Sequence, residues 1–430
     1  MDIRKLKGFR DILPDETPLW QRIERTVREV FGRYGFEEIR LPLLEETALF
    51  ARSIGEATDI VEKEMYTFTD TGGTSVTLRP EGTASAVRAY LENGFHRADP
   101  KARLYYTGPM FRRERPQKGR LRQFHQVGAE CFGWADPWAD GDVLCLLWDF
   151  FDALGLSARV RLEVNSLGCA EDRARYVAAL RAHLAPRREA LCENCRRRLE
   201  ANPLRVLDCK SARCAEVTAD VPGLADALCG ACADHFARVR RHMEAMGVPH
   251  TVNPRMVRGL DYYNRTTFEL LSGDLGAQNA VAAGGRYDGL VASLGGPPIP
   301  ALGFALGVER LALMLGGDAA VRPAPVAFLV HRGEAALERA LAVRRRLIRE
   351  GIRADIDYEP RSFKAQMRAA DRLGARFAVI VGEDELARGQ VTVKNLRDGT
   401  QETVAESEAV ERLRRAAASQ PTEGREGDDP

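Results

Sequence analysis

The sequence predicts an α/β protein with a strand-rich N-terminal part, a helical insertion and a C-terminal α/β domain built on a mixed sheet. Three patterns lead to this prediction. Helical and strand-like segments alternate over residues 1–168, and strand-like, glycine-rich sequence resumes over 247–318. Between them, residues 169–246 are helical and rich in arginine and cysteine. From 326 to 415, strands alternate with helices in the order typical of βαβ units.

The N-terminal part opens with an amphipathic helix. Its apolar side chains recur at helical spacing over residues 17–34, and Gly35 is suited to end it. A strand is predicted over 36–45, interrupted by Pro42, which cannot donate to a sheet ladder and therefore belongs at an edge or bulge. A second helix is expected over 138–154, followed by a half-buried strand over 159–165.

The C-terminal domain follows a linker at 317–325, where glycine, alanine and proline show little periodicity. Its helices are predicted over 335–350 and 361–373, each closed by a glycine. Its strand-like segments are 326–330, 352–358, 377–381 and 391–396. The polar end, 419–430, is expected to be disordered.

Composition excludes some classes of protein. The chain has 430 residues, 63 Lys and Arg against 62 Asp and Glu, and a net charge of +1. This balance argues against a uniformly basic nucleic-acid coat protein and an acidic disordered protein, but it permits a locally basic groove. No apolar run approaches the roughly 18 residues of a membrane span, and the N-terminus lacks an apolar signal core. We therefore expect a cytoplasmic protein without a membrane partner.

The densest chemistry lies in a charged hairpin. Apolar arms at 104–110 and 124–127 flank a loop with many cations, one proline and one glycine. Arginine forks pair with phosphate oxygens in a bidentate manner, so this loop is a candidate polyanion site. The alternative is a solvated charged loop. Phe111, Phe124 and Gln126 interrupt the run of charged residues, which favours a structured binding site.

Six segments form an ordered set along the chain: 8–14, 39–42 with the preceding helix, 111–130, 258–263, 283–288 and 303–310. Together they resemble the histidyl-tRNA synthetases, which are class II aminoacyl-tRNA synthetases, with 39–42 as motif 1, 111–130 as motif 2 and 303–310 as motif 3. The resemblance extends over about residues 1–415. The resemblance implies an antiparallel catalytic sheet flanked by helices, a homodimer formed through motif 1 and a C-terminal anticodon-binding domain. It also implies ATP with Mg²⁺, L-histidine and tRNA(His) as substrates and partners.

The same resemblance implies a two-step reaction and assigns an ATP site. Histidine would first attack the α-phosphate of ATP, giving histidyl-adenylate and pyrophosphate, and the histidyl group would then pass to the 3′ end of the tRNA. Arg112 would hold the α-phosphate, with Arg258 on its other side, and Arg310 would hold the γ-phosphate. Phe124 would stack on adenine and Glu114 would meet its amino group. The catalytic residues implied are Arg112, Arg258 and Gln126.

A histidine pocket is implied as well. An imidazole ring needs an acceptor for one nitrogen and a hydroxyl for the other, and Glu130 and Tyr263 are the family's candidates. Glu81, in the segment 78–84, would bind the α-amino group, although a glutamate at this position can also be a helix-cap or turn residue. The full predicted pocket comprises Glu81, Gly82, Thr83, Gln126, Glu130, Arg258, Tyr262 and Tyr263.

Two regions are expected to contact tRNA. The motif 2 loop resembles the part that meets the acceptor end, through Gln117, Lys118, Arg120 and Arg122. In the C-terminal domain, Lys364, Arg368 and Arg372 recur at helical spacing, either as a phosphate-contacting stripe or as an ordinary solvated face.

The cysteines of the insertion suggest a metal site. Two CxxC knuckles are the usual source of a tetrahedral zinc site, so zinc is predicted on Cys192, Cys195, Cys229 and Cys232. Cys209 and Cys214 offer an alternative second pair, and a cluster of buried thiols without metal is the other interpretation.

Two other functions compete. One is the non-catalytic, synthetase-like regulatory subunit of ATP phosphoribosyltransferase, and the other is a synthetase for a different amino acid of the same subclass. The first is disfavoured because the motif arginines Arg112, Arg258 and Arg310 and the C-terminal domain are present. The second is disfavoured by the segment 258–263.

Overall fold

The computed structural model describes residues 3–55, 58, 60–257, 260, 262–276, 279–316 and 324–418. These residues form two compact units, one ending at Gly316 and the other beginning at Ala324. Most of the predicted linker and the whole of the tail predicted to be disordered, 419–430, lie outside the described residues.

The first unit is organised around one large sheet. The strands of this unit are β1 (Glu37–Glu38), β2 (Leu44–Glu46), β3 (Tyr66–Thr69), β4 (Ser75–Leu78), β5 (Ala102–Phe111), β6 (Gln123–Phe132), β7 (Arg161–Ser166), β8 (Thr251–Val252), β9 (Asn264–Leu271), β10 (Ala280–Arg286) and β11 (Ala301–Gly307). Eight of them pair in the order β1-β5-β6-β11-β10-β9-β7-β8. The six inner strands are antiparallel, and only the short edge strands β1 and β8 pair in parallel. The antiparallel catalytic sheet expected from the resemblance is thus confirmed.

Helices flank this sheet. They are α1 (Thr17–Arg33), α2 (Thr47–Ile54), α3 (Thr83–Glu92), α4 (Phe95–Ala98), α5 (Pro137–Ala153), α6 (Ala170–Leu184), α7 (Glu193–Ala201), α8 (Ala212–Val217), α9 (Gly230–Ala245), α10 (Leu290–Ser293) and α11 (Val308–Leu315). The apolar face that the sequence predicts for α1 is buried, with Ile23, Val27 and Phe31 fully enclosed. It packs with α5 and α11 against Val127 and Phe304 of the sheet, which forms the main core.

The segment around Pro42 differs from the prediction of one interrupted strand. It forms two short strands that join different sheets: β1 extends the large sheet beside β5, whereas β2 pairs with β4 in a three-stranded sheet, β2-β4-β3. Pro42 lies between them, where no ladder hydrogen bond is required of it.

The segment predicted as an insertion is helical in the structure. Helices α6 to α9 fill the chain between β7 and β8, together with short 3₁₀ turns at Ala185–Ala190, Pro203–Val206 and Leu224–Ala227. Its buried side chains, among them Leu180, Leu199 and Val206, join a second core cluster with Tyr90 and Tyr287.

The second unit has a mixed sheet, as predicted. Its elements are β12 (Ala327–His331), α12 (Glu334–Arg349), β13 (Ala354–Ile356), α13 (Phe363–Arg372), β14 (Phe377–Val381), α14 (Glu383–Arg388), β15 (Gln390–Asn395), β16 (Gln401–Ala405) and α15 (Glu406–Ala418). The strand order is β13-β12-β14-β15-β16, with the first three parallel and the last two pairings antiparallel. Across the described residues of both units, no helix combines the length and apolar character needed to cross a bilayer.

Candidate active site

A cavity of about 380 Å³ lies over four neighbouring strands of the large sheet, β6, β11, β10 and β9. We call it the central cavity. The predicted site residues that line it are Glu81, Thr83, Arg112, Glu114, Arg120, Phe124, Gln126, Tyr262, Tyr263 and Arg310. Residues far apart in the chain, from three separate motifs and the glutamate-threonine turn, therefore meet at one surface.

Other predicted residues lie elsewhere. Gly82 and Glu130 lie just beneath the cavity surface, and Gln117, Lys118 and Arg122 belong to the motif 2 loop outside it. Arg258, predicted to reach the α-phosphate, lies outside the described residues.

Arg112 is held in place by the hairpin. The β5–β6 pairing ends at Phe111, and the Arg112 amide then donates to the Arg122 carbonyl at 2.9 Å. Its side-chain Nε donates to the Pro80 carbonyl at 2.8 Å, and its guanidinium lies 5.4 Å from the centre of the Phe124 ring. These contacts fix the guanidinium but leave other donors for a ligand in the cavity.

Of the four described arginines that line the central cavity, Arg112, Arg120 and Arg310 interact with one another electrostatically. Burial lowers the pKa of the Arg310 guanidinium, and the like charges of Arg120 and Arg112 lower it further. Arg310 donates to the carbonyls of Ala280 and Gly119. Because an anion would relieve this mutual repulsion, the cluster is suited to a polyanionic ligand.

Acidic side chains surround the arginines, and the sequence predicts only some of them as site residues. Glu114 forms an ion pair with Arg120, so the carboxylate expected to meet adenine already has a cationic neighbour. The Glu309 carboxylate accepts from the backbone amide of His125 at 2.9 Å. The charged cavity residues absent from the predicted set are Glu64, Arg205, Glu269 and Glu309. Glu309 could have been identified from the sequence, because it is the acidic neighbour of Arg310 in motif 3.

A buried carboxylate network supports the floor of the cavity. Glu130 has no exposed surface and accepts hydrogen bonds from three hydroxyls: Thr83 at 2.7 Å, Tyr106 at 3.0 Å and Tyr287 at 2.5 Å. Burial raises the pKa of Glu130 to about 8, against the opposing effect of these hydroxyls. Its link to the cavity runs through Thr83, which lines the surface. Glu130 therefore reaches the cavity only through its hydrogen bond with Thr83, whereas the resemblance implies that it contacts the imidazole directly.

Two glycines make this network sterically feasible. A Cβ at Gly82 would collide with the ring of Tyr106, and a Cβ at Gly303 would collide with the carboxylate of Glu130. Gly82 therefore contributes to the predicted pocket because it lets the Tyr106 ring approach the backbone closely.

Glu81 caps a helix and also lines the central cavity. Its carboxylate accepts from the backbone amides of Thr83 at 2.7 Å and Ala84 at 2.8 Å, which satisfies the first turn of α3. It is only 4% exposed, yet it lines the cavity. Burial raises the pKa of the carboxyl, while the two amides and Arg112 lower it.

The remaining walls are aromatic and amide groups. Tyr262 and Tyr263 stand with ring centres 4.6 Å apart, and both line the cavity. Gln126 follows Phe124 by two positions on β6, so both face the same side of the sheet. The buried Oε1 of Gln126 accepts no hydrogen bond from the described residues, an unsatisfied acceptor that a ligand donor could complete.

Arg286, in the segment 283–288, has a structural role. It is fully buried, and its guanidinium pairs with Asp140 of α5 and with Asp288, and donates to the Trp134 carbonyl at 2.9 Å. It fastens β10 to α5 and lines no part of the cavity.

The motif 2 loop divides its polar residues between two environments. Gln117 and Lys118 are exposed at a tight turn closed by backbone bonds between Gln117 and Arg120. Arg120 instead turns toward the cavity, and Arg122 donates to the Glu114 carbonyl at 3.2 Å. Only the first two are presented outward.

The cysteines correct the predicted metal site. The two knuckles that were expected to share one ion lie in different clusters. One cluster contains Cys192, Cys195, Cys209 and Cys214, and the other contains Cys169, Asp172, Cys229 and Cys232. Linear spacing cannot specify which knuckle faces which, because the packing of α6 to α9 decides it.

Comparison with known proteins agrees with this geometry. A family model described as histidyl-tRNA synthetase matches residues 8–311, and one described as anticodon binding domain matches residues 325–416. A histidine–tRNA ligase of Geobacter metallireducens is 56% identical over 402 residues, covering 94% of this chain and 97% of the relative.

Solved structures show the same fold. The apo histidyl-tRNA synthetase of S. aureus superposes with a TM-score of 0.80 at 36% identity, covering 96% of this chain and all of that one. A Bacillus halodurans structure described as an ATP phosphoribosyltransferase regulatory subunit/histidyl-tRNA synthetase has a TM-score of 0.64 at 20% identity, covering 89% and 99% of the two chains, which is a likeness of fold alone. Because the family models and a relative of 56% identity extend over nearly the whole chain, the protein belongs to the histidyl-tRNA synthetase family of aminoacyl-tRNA ligases.

Proposed function

We propose that this chain activates L-histidine with ATP and transfers it to the 3′ end of tRNA(His). The observation that carries the proposal is the meeting of Arg112, Arg120 and Arg310 with Glu81 and Gln126 around one cavity. The arginines suit a polyphosphate, and the acidic and amide groups suit an amino acid. This combination supports the joining of an amino acid to a nucleotide.

In the first step, a carboxylate oxygen of histidine bonds to the α-phosphorus while the bond from phosphorus to the pyrophosphate oxygen breaks. Negative charge builds on the equatorial oxygens, and fixed cations stabilise it most where they already point. Arg112 is proposed to serve this role, with Arg258 opposite it as the resemblance implies, and Arg310 would hold the far end of the triphosphate.

ATP would enter as its Mg²⁺ complex. Glu269 and Glu309 supply carboxylate oxygens at the cavity, and both act electrostatically on Arg310. Hard oxygen donors beside a phosphate site fit Mg²⁺, which neutralises phosphate charge when bound. Phe124, under the Arg112 guanidinium, is proposed to stack on adenine.

Histidine would lie over the Glu130 network. Glu81 and Gln126 are proposed to receive the α-amino group, with Tyr262 and Tyr263 against the ring. Glu130 would accept an imidazole N–H once one of its three hydroxyl partners turns away. A pocket that hydrogen-bonds the ring discriminates strongly against apolar analogues, because their binding leaves buried polar groups unpaired.

The pKa of Glu130 gives a pH prediction. Because its folded-state pKa is raised to about 8 from 4.5, its contribution to stability is complete below pH 4.5 and is lost as the pH rises through 8. An N–H donor prefers the ionised acceptor. The affinity for histidine should therefore increase as the pH rises from 7 to 8.5, by up to about tenfold per pH unit. Calorimetric titration of histidine at each pH measures this. Glu130→Gln should flatten the profile, and an equally steep profile in that variant would contradict the assignment.

A tRNA prediction concerns the second unit. Lys364, Arg368 and Arg372 are exposed on one face of α13. Replacing all three by glutamine should raise the KM for tRNA and lower the salt slope by about 0.9 for each lost phosphate contact. ATP–pyrophosphate exchange should not change. The matched control is glutamine at Arg345 and Arg349, which are exposed on α12. Equal effects of the two variants on charging would show that α13 has no special part.

We further propose a cytoplasmic homodimer that forms through the motif 1 region. Leu43 and Leu44, just after Pro42, are large apolar side chains with 44% and 45% of their surface exposed in the single chain. Exposed neighbouring apolar groups of this size are typical of contact surfaces. Light scattering after size exclusion should give twice the 47.7 kDa chain mass.

The function is tested by ATP–pyrophosphate exchange with each amino acid in turn. Exchange that depends on histidine alone supports the proposal. Exchange with another amino acid would assign a different specificity, and no exchange with any would contradict catalysis and agree with a regulatory subunit.

A further inference from the structure

The cluster of Cys192, Cys195, Cys209 and Cys214 has the dimensions of a metal site. The four sulfurs all lie within 4.8 Å of one another, and Cys192 Sγ is 3.9 Å from Cys209 Sγ. A tetrahedral ion with zinc–sulfur bonds of about 2.3 Å holds its sulfurs about 3.8 Å apart. The four are free thiols rather than disulfides.

Three of the four cysteines lie at or near the start of a helix. Cys192 immediately precedes α7, Cys195 lies in its first turn, and Cys214 lies in α8. A helix N-terminus stabilises negative charge. The Cys192 amide also donates to Cys214 Sγ at 3.2 Å, the kind of support that a metal-bound sulfur receives from the backbone.

The second cluster differs in its fourth ligand. The Asp172 carboxylate accepts from the amides of Cys229 at 2.9 Å and Cys169 at 3.4 Å, and it also pairs with Arg175. These partners engage it as a cap of α6 and a bridge to the start of α9. This leaves three sulfurs beside an occupied carboxylate, so the four-cysteine cluster is the stronger metal site.

We propose that Cys192, Cys195, Cys209 and Cys214 hold one structural zinc ion. Four protein sulfurs complete a tetrahedron and leave no open position, so the ion has no catalytic part. It would fasten together α7, α8 and the segment between them, three short stretches of the insertion. Arg205, four residues before Cys209, lines the central cavity, so the ion would also brace a segment that reaches it.

The test measures metal content and coordination rather than activity. Full-length protein purified without chelator is assayed for zinc and iron by mass spectrometry, and its zinc-edge X-ray absorption gives the number of sulfur ligands. We expect bound zinc with about four sulfurs at about 2.3 Å. Cys209→Ser should lose one equivalent of zinc relative to the parent. Cys145→Ala, a buried cysteine outside both clusters, is the matched control and should lose none.

Several results would overturn the proposal: parent protein free of zinc, iron in its place, a coordination of three sulfurs with oxygen, or full zinc retention by Cys209→Ser. Loss of zinc in Cys232→Ser with retention in Cys209→Ser would move the ion to the other cluster. The absorption spectrum is taken on the parent protein, so it decides the coordination even where a variant folds poorly.

Discussion

Replacing Arg112 by alanine should slow histidyl-adenylate formation by about 10²–10³-fold, with folding intact. Arg112 is the motif 2 arginine whose guanidinium is fixed by the Pro80 carbonyl and lies against Phe124 in the central cavity. A fixed cation at the α-phosphate stabilises charge that appears only in the transition state, so its loss should fall on kcat rather than on the KM for histidine. Rapid-quench measurement of adenylate formation reads this step directly.

The matched control is the neighbouring Arg113→Ala. Arg113 is exposed and lies outside the central cavity, although it belongs to the same loop. It should leave adenylate formation within a few-fold of the parent. Arg112→Lys should recover only part of the rate, since an ammonium lacks the bidentate fork. If the Arg112→Ala and Arg113→Ala rates were alike, the proposed role of Arg112 would be wrong.

Glu81→Gln should raise the KM for histidine by about 10–150-fold, the equivalent of a lost hydrogen bond to a charged group. The substitution removes the charge that is proposed to meet the α-amino group. Glutamine keeps a side-chain oxygen that can accept from the amides of Thr83 or Ala84, so the start of α3 should persist. The KM for ATP should change little, which separates this effect from a general disturbance of the cavity.

The control for Glu81 lies at the opposite end of α3, the helix that Glu81 caps. Glu92→Gln changes an exposed carboxylate at the far end of α3, which pairs with Arg88. It should alter neither KM. Thermal unfolding of both variants reports the cost of weakening the cap. Parallel increases in both KM values for Glu81→Gln would indicate a structural role alone.

The fold was predictable where periodicity is strong and local. Strand β14 occupies the predicted residues, and α5 and α12 lie within one residue of their predicted starts and ends. The segment around Pro42 divided between two sheets because pairing partners, rather than local propensity, decide strand membership. The sequence predicts no element over 401–418, where β16 and α15 complete the second unit.

The site shows the same division. The motifs were enough to predict that Arg112, Arg310 and Glu81 lie at one site, since the family pattern implies their three-dimensional relation. The depth of Glu130, its three hydroxyl partners and the cavity position of Arg205 depend on side-chain packing that no spacing encodes. The cysteine pairing failed for that reason: the knuckles meet partners chosen by helix packing.

The central claim is that this one cavity joins histidine to ATP, and active-site titration tests it most directly. Enzyme in known amount is mixed with Mg²⁺, labelled ATP and histidine in the presence of pyrophosphatase, and the adenylate formed in the first turnover is counted. We expect a burst that approaches one adenylate per active site and that depends on histidine. Absence of a burst with histidine, or an equal burst with another amino acid, would contradict the account.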